Sequence, residues 1–292
     1  MRVAPIVLAI FGAMLASSEA VAVAATYSSS HLSKIIATAT VPNRDNPQLY
    51  FSVRAGTLWS SETDQITPSD GIYCQYSGTV EITIGIGSTI LYAGDGVFIP
   101  AGTKFTLKAH AAEGSPTYLQ FLLSAAPEPE AVNLPTGISV EVYRSPSPIP
   151  GLIRETSLLS LAKVPVPPES PCDALHQRSG AALHYILSGV GAEFTEGRAT
   201  AKGPGSVSYE PRGIVYQWSN PGSQPLVYLV FNVNPKNLPA VVEVEDRPED
   251  PFSTDPHMTL AIYCIAASVI LTLIVCATTR LDHRHAGKHR DK

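Results

Sequence analysis

The chain has 292 residues, enough for two domains of ordinary size. Its net charge is −5, with −8 on residues 25–279 and +3 on residues 280–292. An acidic body without basic clusters lacks the electrostatic surface of a nucleic-acid-binding protein, so no nucleic-acid partner is expected.

The N-terminus predicts a secretory signal peptide over residues 1–24. Arg2 precedes a short apolar run, and small residues suited to cleavage stand at Ala22 and Ala24. An uncleaved membrane anchor is the alternative, but the short apolar run and its small-residue end favour cleavage.

Short alternating runs separated by Gly, Pro and Ser predict β-strands throughout the body. In GTVEITIG, Val80, Ile82 and Ile84 point to one face and the intervening residues to the other. Strands this short and numerous favour an all-β barrel or sandwich.

A repeat divides the body into two units. The run YSGTVEITIGIGSTILYAGDGVFIPAGTKF aligns without a gap with LSGVGAEFTEGRATAKGPGSVSYEPRGIVY. Five turn residues match at a constant offset of 111 positions: Ser77 with Ser188, Gly78 with Gly189, Gly94 with Gly205, Pro100 with Pro211, and Gly102 with Gly213. We predict one β unit at residues 25–126, a Pro-rich linker at 127–135 and a second β unit at 136–240.

The C-terminal segments predict attachment to a membrane. Residues 241–257 are acidic and Pro-rich, as in an extended stalk. Residues 258–279 are uncharged and long enough to cross a bilayer as one helix, and residues 280–292 form a basic tail. Because basic tails stay cytosolic, we expect a single-pass type I membrane protein with an extracellular or lumenal body. The tail histidines are interpreted as part of a solvated basic segment: His283, His285 and His289.

Only two cysteines lie in the predicted exported body. Cys264 and Cys276 fall within the predicted membrane helix, which leaves Cys74 and Cys172. A disulfide is chemically allowed outside the cytosol, but the sequence does not show whether these two are close. Their disulfide state therefore stays open.

The turns of both units resemble a known family. GDGVFIPAG and GSVSYEPRGIVYQWSN resemble the second motif of the cupin superfamily, G-x5-P-x-G-x2-H-x3-N. The resemblance implies an all-β bicupin: two tandem double-stranded β-barrels of the RmlC-like jelly-roll type, here with one C-terminal transmembrane helix. It also implies packing of one barrel against the other, while the oligomeric state is not predicted.

Metal-binding cupins add a first motif, G-x5-H-x-H-x3,4-E-x6-G, whose ligands hold a divalent transition metal. The four ligand positions carry Gln65, Thr67, Gly71 and Phe105 in the first unit, and His176, Arg178, Ala182 and Tyr216 in the second. Asn220 retains the closing Asn of the second motif. One ligand remains, and a guanidinium that stays protonated repels a divalent cation. We therefore expect degenerate metal sites and no cofactor, with a divalent transition metal as the alternative.

Strand alternation predicts what lines the second barrel. His184 shares the face of positions 176, 178 and 182, and Trp218 shares the face of Tyr216. The candidate ligand-binding set is His176, Arg178, His184, Tyr216 and Trp218. Arg178 suits a carboxylate, Tyr216 a hydrogen bond and Trp218 an apolar wall, so the expected ligand is small and polar or anionic.

Plainer interpretations of these residues stay open. Tyr216 and Trp218 are common barrel fillers, His184 suits a hydrogen-bonded core position, and His176 suits a surface loop. In a non-standard metal site, His176 and His184 would converge with Glu193 or Glu210.

The leading interpretation is a membrane-tethered, exported bicupin that binds a small molecule or a partner protein through the second barrel. No catalytic residue is assigned, and whether the chain is an enzyme stays open. The first alternative is a metal-dependent dioxygenase or isomerase using the non-standard site. The second is a structural, storage-like module of packed barrels.

Overall fold

A computed structural model describes residues 33–41, 48–59, 62–67, 69–110, 114–124, 131–134, 137–150 and 156–244. The predicted signal peptide, transmembrane segment and cytosolic tail lie outside these residues, as does the stalk beyond residue 244. In the described part of the chain, no helix has the length and apolar character needed to cross a membrane.

The regular elements of the described residues are β-strands. The first half of the chain contains β1 (Lys34–Val41), β2 (Tyr50–Leu58), β3 (Glu62–Ile66), β4 (Asp70–Ser77), β5 (Val80–Ile84), β6 (Gly87–Leu91), β7 (Gly96–Ile99), β8 (Lys104–Ala109), β9 (Thr117–Ser124), β10 (Ala131–Leu134) and β11 (Gly137–Arg144). The second half contains β12 (Ser157–Val166), β13 (His176–Arg178), β14 (Ala181–Ser188), β15 (Gly191–Thr195), β16 (Arg198–Lys202), β17 (Val207–Glu210), β18 (Val215–Ser219), β19 (Leu226–Pro235) and β20 (Val241–Glu243).

Four sheets form two jelly-roll barrels. Barrel 1 combines the sheet β10-β11-β2-β9-β4-β7 with the sheet β3-β8-β5-β6. Barrel 2 combines β1-β12-β19-β14-β17 with β16-β15-β18-β13-β20. The matched turns use glycine because their backbone is left-handed, with φ of 91° at Gly94 and 80° at Gly205. The predicted all-β fold is confirmed.

The strand register repeats with the offset read from the sequence. In barrel 1, Gln65 pairs with Phe105, and the equivalent pair in barrel 2 is His176 with Tyr216. In the same way, Gly71 pairs with Ile99 in barrel 1, and Ala182 pairs with Glu210 in barrel 2. All four positions differ by 111 between the barrels. The alignment of the two units is therefore structural as well as sequential.

The barrels exchange strands across the predicted linker. β1, from the first unit, pairs with β12 at the edge of a barrel 2 sheet. β11, from the second unit, pairs with β2 of barrel 1, and β10 within the predicted linker pairs with β11. The boundaries predicted at 25–126 and 136–240 thus do not separate the barrels, because each exchanged strand covers a sheet edge of the other unit.

β20 is a second departure from the predicted boundaries. Val241–Glu243 was assigned to the stalk, but it pairs with β13 of barrel 2. Val241 and Val242 favour an extended backbone, and pairing satisfies the edge of β13. The part of the chain that leads to the predicted membrane segment is therefore held directly against the strand that carries His176 and Arg178.

One hydrophobic core joins the larger sheets of the two barrels. Phe231 of barrel 2 contacts Phe51 and Phe121 of barrel 1, with ring centroids 5.4 and 5.7 Å apart. All three side chains are fully buried. Each barrel also has a separate interior, centred on Tyr73 and Tyr118 in barrel 1 and on Trp218 and Tyr228 in barrel 2.

The two cysteines of the body do not form a disulfide with each other. Cys74 is buried in the core between the barrels, and Cys172 is exposed on the segment before β13. Burial raises the pKa of the Cys74 thiol to about 12, so this thiol stays protonated and packs as an apolar group.

Candidate functional site

The centre of barrel 2 is the guanidinium of Arg178. Its Nε donates to Glu210 Oε2 at 2.5 Å and its Nη1 to Asn232 Oδ1 at 3.3 Å. Its Nη2 donates to Nε2 of His184 at 2.9 Å. The Arg178 side chain is only 1% exposed and that of Glu210 is fully buried. The arginine does grip a carboxylate, as its residue type predicts, but the carboxylate belongs to the same chain.

Short strands bring these groups together. Arg178 ends β13, and alternation along β13 turns His176 to the same buried face. His184 lies two residues beyond Ala182 on β14, and Ala182 is the direct partner of Glu210 on β17. The inward orientation predicted from the sequence is confirmed for His176, Arg178 and His184.

Three stacked rings close one side of the ion pair. The His184 ring lies 5.0 Å from Trp218 and 4.9 Å from Tyr228, nearly parallel to both. Trp218 Nε1 donates to Glu210 Oε1 at 2.7 Å. Both oxygens of Glu210 therefore have donors, and Trp218 acts as a hydrogen-bond donor as well as an apolar wall.

The ion pair fixes the charge of Glu210. Burial acts to raise the pKa of this carboxyl, but the charge of Arg178, assisted by His176, outweighs burial and holds the pKa well below its usual value. Glu210 is therefore ionised and neutralises Arg178. The centre of the barrel carries no spare positive charge for an anionic ligand.

His184 is a neutral partner of this pair. Because Nε2 accepts a hydrogen bond from Arg178, the ring proton lies on Nδ1. Complete burial lowers the pKa of His184 to about 3, with the charge of Arg178 adding to the effect.

The pKa of His176 is shifted in the opposite direction to that of His184. Its Nδ1 donates to the carbonyl of Ala174 at 3.0 Å, and its Nε2 lies 3.9 Å from Glu210 Oε2. Burial acts to lower the pKa of His176, but the neighbouring Glu210 and then Asp173 outweigh it, so the pKa is raised. The structure therefore places His176 at the edge of the cluster, on a strand rather than on the loop that the plainer interpretation of the sequence allowed.

Tyr216, the fifth predicted residue, extends the cluster along β18. It is buried, and its cross-strand partners are His176 and Thr195. Burial raises the pKa of Tyr216, and the charges of Glu210 and Glu193 raise it further. Its hydroxyl therefore stays protonated.

Glu193 does not join the two histidines. It is buried, accepts from the hydroxyl of Ser208 and lies 3.2 Å from Nζ of Lys202. Of the two carboxylates considered for a non-standard site, only Glu210 converges with His176 and His184.

Similar proteins were sought by sequence and by structure. No protein-family model and no curated protein matches the chain. Among solved structures, the chain is similar to a cupin 2 conserved barrel domain protein from Leptotrichia buccalis, with 15% identity over 72% of this chain and 98% of that chain and a TM-score of 0.39. An oxalate decarboxylase variant from Bacillus subtilis shows 16% identity over 75% of this chain and 80% of that chain, with a TM-score of 0.48. AerE from Microcystis aeruginosa shows 14% identity over 68% and 98%, with a TM-score of 0.45.

These similarities concern the fold alone, and the fold assignment depends on the strand pairing. Two barrels share one register, and the turns at Pro100 and Pro211 occupy equivalent places in it. The protein has a bicupin fold.

The donors of barrel 2 do not fit a divalent metal ion. Among the described residues, no group of three His, Cys, Asp or Glu side chains is arranged to hold one. The Arg178 guanidinium contacts both His184 and Glu210, and both Glu210 oxygens accept hydrogen bonds. A divalent ion would face a permanent positive charge within hydrogen-bond distance of its ligands.

Barrel 1 holds an uncharged counterpart of this cluster. The positions of His184, Glu210 and Arg178 carry Tyr73, Ile99 and Thr67. Tyr73 stacks on Tyr118 with ring centroids 4.9 Å apart, the same separation as between His184 and Tyr228 in barrel 2. The two barrels thus share a stacked ring pair, but the histidine, arginine and carboxylate of barrel 2 are absent from the equivalent positions of barrel 1.

Three members of the cluster had no direct signal in the sequence. Asn232 and Tyr228 lie on β19, far along the chain from Arg178, and Glu210 stood only as an alternative metal ligand. The repeat could have identified Glu210, because the equivalent inward position in barrel 1 is the apolar Ile99. A charge at a position known to be inward needs a buried partner.

The neutral state of His184 predicts a loss of stability in acid. Above about pH 6.5 the residue is neutral in both states; below it, only the unfolded chain takes up the proton until about pH 3. His176 acts in the opposite direction, so the test compares variants. Between pH 7 and pH 5, His184→Phe is expected to lose about 1–2 kcal/mol less unfolding free energy than the wild type, measured by urea denaturation.

The exposed His110 supplies the control for this prediction. His110→Gln is expected to keep the pH dependence of the wild type. Equal pH dependence in the wild type and His184→Phe would show that His184 is not held neutral in the folded barrel.

Proposed function

We propose that this protein is an exported, membrane-tethered bicupin that acts by binding and does not use a metal for catalysis. The observation that supports the proposal is the buried ion pair of Arg178 and Glu210 at the place where metal-binding cupins hold their ion. A site that already contains a neutralised internal cation has no electrostatic need for another.

The ligand class follows from the charges and from the polar atoms that lack partners. Because Glu210 neutralises Arg178, barrel 2 offers little attraction to an anion. Among the buried polar atoms of the described residues that have no hydrogen-bond partner, three belong to the cluster or to the cross-strand neighbour of Tyr216: His176 Nε2, His184 Nδ1 and Thr195 Oγ1. Such atoms favour a small, polar, uncharged ligand that donates and accepts hydrogen bonds beside Tyr216 and His176.

Membrane tethering is part of the proposal on sequence grounds. The predicted signal peptide at 1–24, the membrane helix at 258–279 and the basic tail support it. β20 connects this end of the chain to barrel 2 through β13. Binding in barrel 2 would therefore occur next to the strand that leads to the membrane.

A structural role is the second candidate. The core shared by both barrels and the closed position of Arg178 favour it, since a scaffold needs no open pocket. A small molecule released in stoichiometric amount on denaturation of the purified protein would favour binding over this role.

Metal content tests the proposal. The full-length chain is purified without a His-tag, in detergent, with the tail histidines removed by His283→Gln, His285→Gln and His289→Gln. Because the guanidinium excludes a divalent ion, elemental mass spectrometry is expected to find less than about a tenth of an equivalent of iron, manganese, nickel or zinc. About one equivalent that is lost in both His176→Ala and His184→Ala would overturn the proposal and support the metal-dependent enzyme.

A further inference from the structure

Two histidines approach the same carboxylate oxygen inside barrel 2. His184 Nε2 and His176 Nε2 lie 3.5 and 3.9 Å from Glu210 Oε2. Their side chains are at most 7% exposed, and that of Glu210 is fully buried. Imidazole and carboxylate are ligand types that suit zinc, iron or manganese, although these three side chains are not arranged to hold an ion while Arg178 is present.

The orientation of His176 is that of a metal ligand. A metal-binding histidine commonly donates one ring N–H to a backbone carbonyl and turns the other nitrogen to the ion. His176 donates Nδ1–H to Ala174, and its Nε2, buried and without a hydrogen-bond partner, is the atom near Glu210.

The guanidinium of Arg178 lies beside these three side chains. Its Nε contacts the same Glu210 oxygen that both histidines approach, and its Nη2 contacts the same His184 nitrogen. Arg178 thus makes the contacts that a small cation would make, with the carboxylate as counter-ion and an imidazole lone pair as acceptor.

We infer that Arg178 is an internal substitute for a bound cation, and that its guanidinium keeps a divalent metal out of barrel 2. The inference rests on the proposed function, since it takes the wild-type barrel to be free of metal. Removal of the guanidinium leaves His176, His184 and Glu210 with their orientation largely set by β13, β14 and β17. Three such ligands with an open fourth position are sufficient to hold zinc.

Barrel 1 provides a matched control. Thr67 occupies the position of Arg178, and the counterparts of the three donors are Gln65, Tyr73 and Ile99, which include no histidine or carboxylate. Emptying position 67 therefore creates no ligand set. Thr67→Ala changes the same place in the repeat without the predicted gain.

Zinc binding to the full-length chain with the three tail histidines replaced tests the inference. Equilibrium dialysis against Zn²⁺ compares this background with Arg178→Ala, Arg178→His and Thr67→Ala. Arg178→Ala is expected to bind one equivalent at least about 100-fold more tightly than the background. Arg178→His, which adds a third imidazole, is expected to bind more tightly still. Adding His184→Ala or Glu210→Gln to Arg178→Ala is expected to remove the gain.

Failure of the inference and failure of the proposed function give different results. If neither Arg178 variant binds zinc more tightly than Thr67→Ala, the inference is wrong and the metal-free barrel stands. If the background itself binds one equivalent through His176 and His184, the proposed function fails and the inference fails with it.

A variant that does not fold without metal still gives an answer. Where binding stabilises only the folded state, zinc binding appears as folding free energy. Circular dichroism then replaces dialysis: Zn²⁺ is expected to restore the β spectrum of Arg178→Ala but not that of Arg178→Ala with Glu210→Gln. No recovery of Arg178→Ala in Zn²⁺ would count against the inference.

Discussion

Glu210→Gln is expected to lower the free energy of unfolding by about 3–5 kcal/mol, although it changes one oxygen to an amide nitrogen. The reason is the fate of Arg178, which stays protonated and has a side chain only 1% exposed. Without Glu210 its charge is buried and uncompensated. The loss is measured by urea unfolding of the full-length chain in detergent at pH 7.

The partner substitution and the double variant identify the cause. Arg178→Met leaves Glu210 as a buried charge without its cation and is expected to cost a similar amount. The double variant Arg178→Met with Glu210→Gln removes both charges and is expected to recover most of the loss, to within about 1–2 kcal/mol of the wild type.

An exposed ion pair provides the control. Lys108 and Glu81 lie 3.9 Å apart on the outer face of barrel 1, with side chains 57% and 33% exposed. Lys108→Met is expected to change the unfolding free energy by less than about 1 kcal/mol. Additive losses in the Arg178 and Glu210 double variant would show that the two charges do not stabilise each other.

Local sequence patterns were sufficient to predict which side chains face the interior of barrel 2. Alternation predicted that His176, Arg178, His184 and Trp218 share the interior of barrel 2, and their burial agrees. The period-two rule acts within a single strand, so it needs no knowledge of the tertiary structure. The repeat offset succeeded for the same reason, since turn glycines are fixed by local backbone geometry.

The same patterns could not supply the partners of those side chains. Glu210 is separated from Arg178 by 32 positions, and Asn232 by 54. Nothing local distinguishes a carboxylate that will face a guanidinium from one at a strand end near the surface. As a result, the sequence predicted a ligand-binding site in which Arg178 would bind an anion, whereas in the structure Arg178 and Glu210 form a neutral internal pair.

Strand exchange was also outside the reach of local patterns. β1 and β11 have ordinary strand sequences, and either would suit the barrel nearest to it along the chain. Their actual partners, β12 and β2, depend on how the two large sheets pack. The Pro-rich stretch lies between the two repeats in the sequence but does not mark a division between independent barrels.

Phe231→Ala is expected to destabilise both barrels together, by about 3–5 kcal/mol. Phe231 belongs to barrel 2, but its ring is fully buried against Phe51 and Phe121 of barrel 1. Truncation leaves a cavity between the large sheets, and both sheets lose contacts. Urea unfolding measures the loss, and hydrogen exchange with mass spectrometry shows where protection falls.

The pattern of hydrogen exchange is the more informative measurement, because it distinguishes one core shared by both barrels from two separate cores that are in contact. If the barrels unfold as one cooperative unit, protection of β9 in barrel 1 and of β14 in barrel 2 falls by the same free energy. Tyr92→Ala, at a ring 59% exposed, removes a similar aromatic group outside the core and is expected to cost no more than about 0.5 kcal/mol. Reduced protection confined to barrel 2 would contradict a single unit. Coupled unfolding would mean that the charged cluster around Arg178 is held in place by the whole double barrel, because its strands β14 and β19 also form the face that packs on barrel 1.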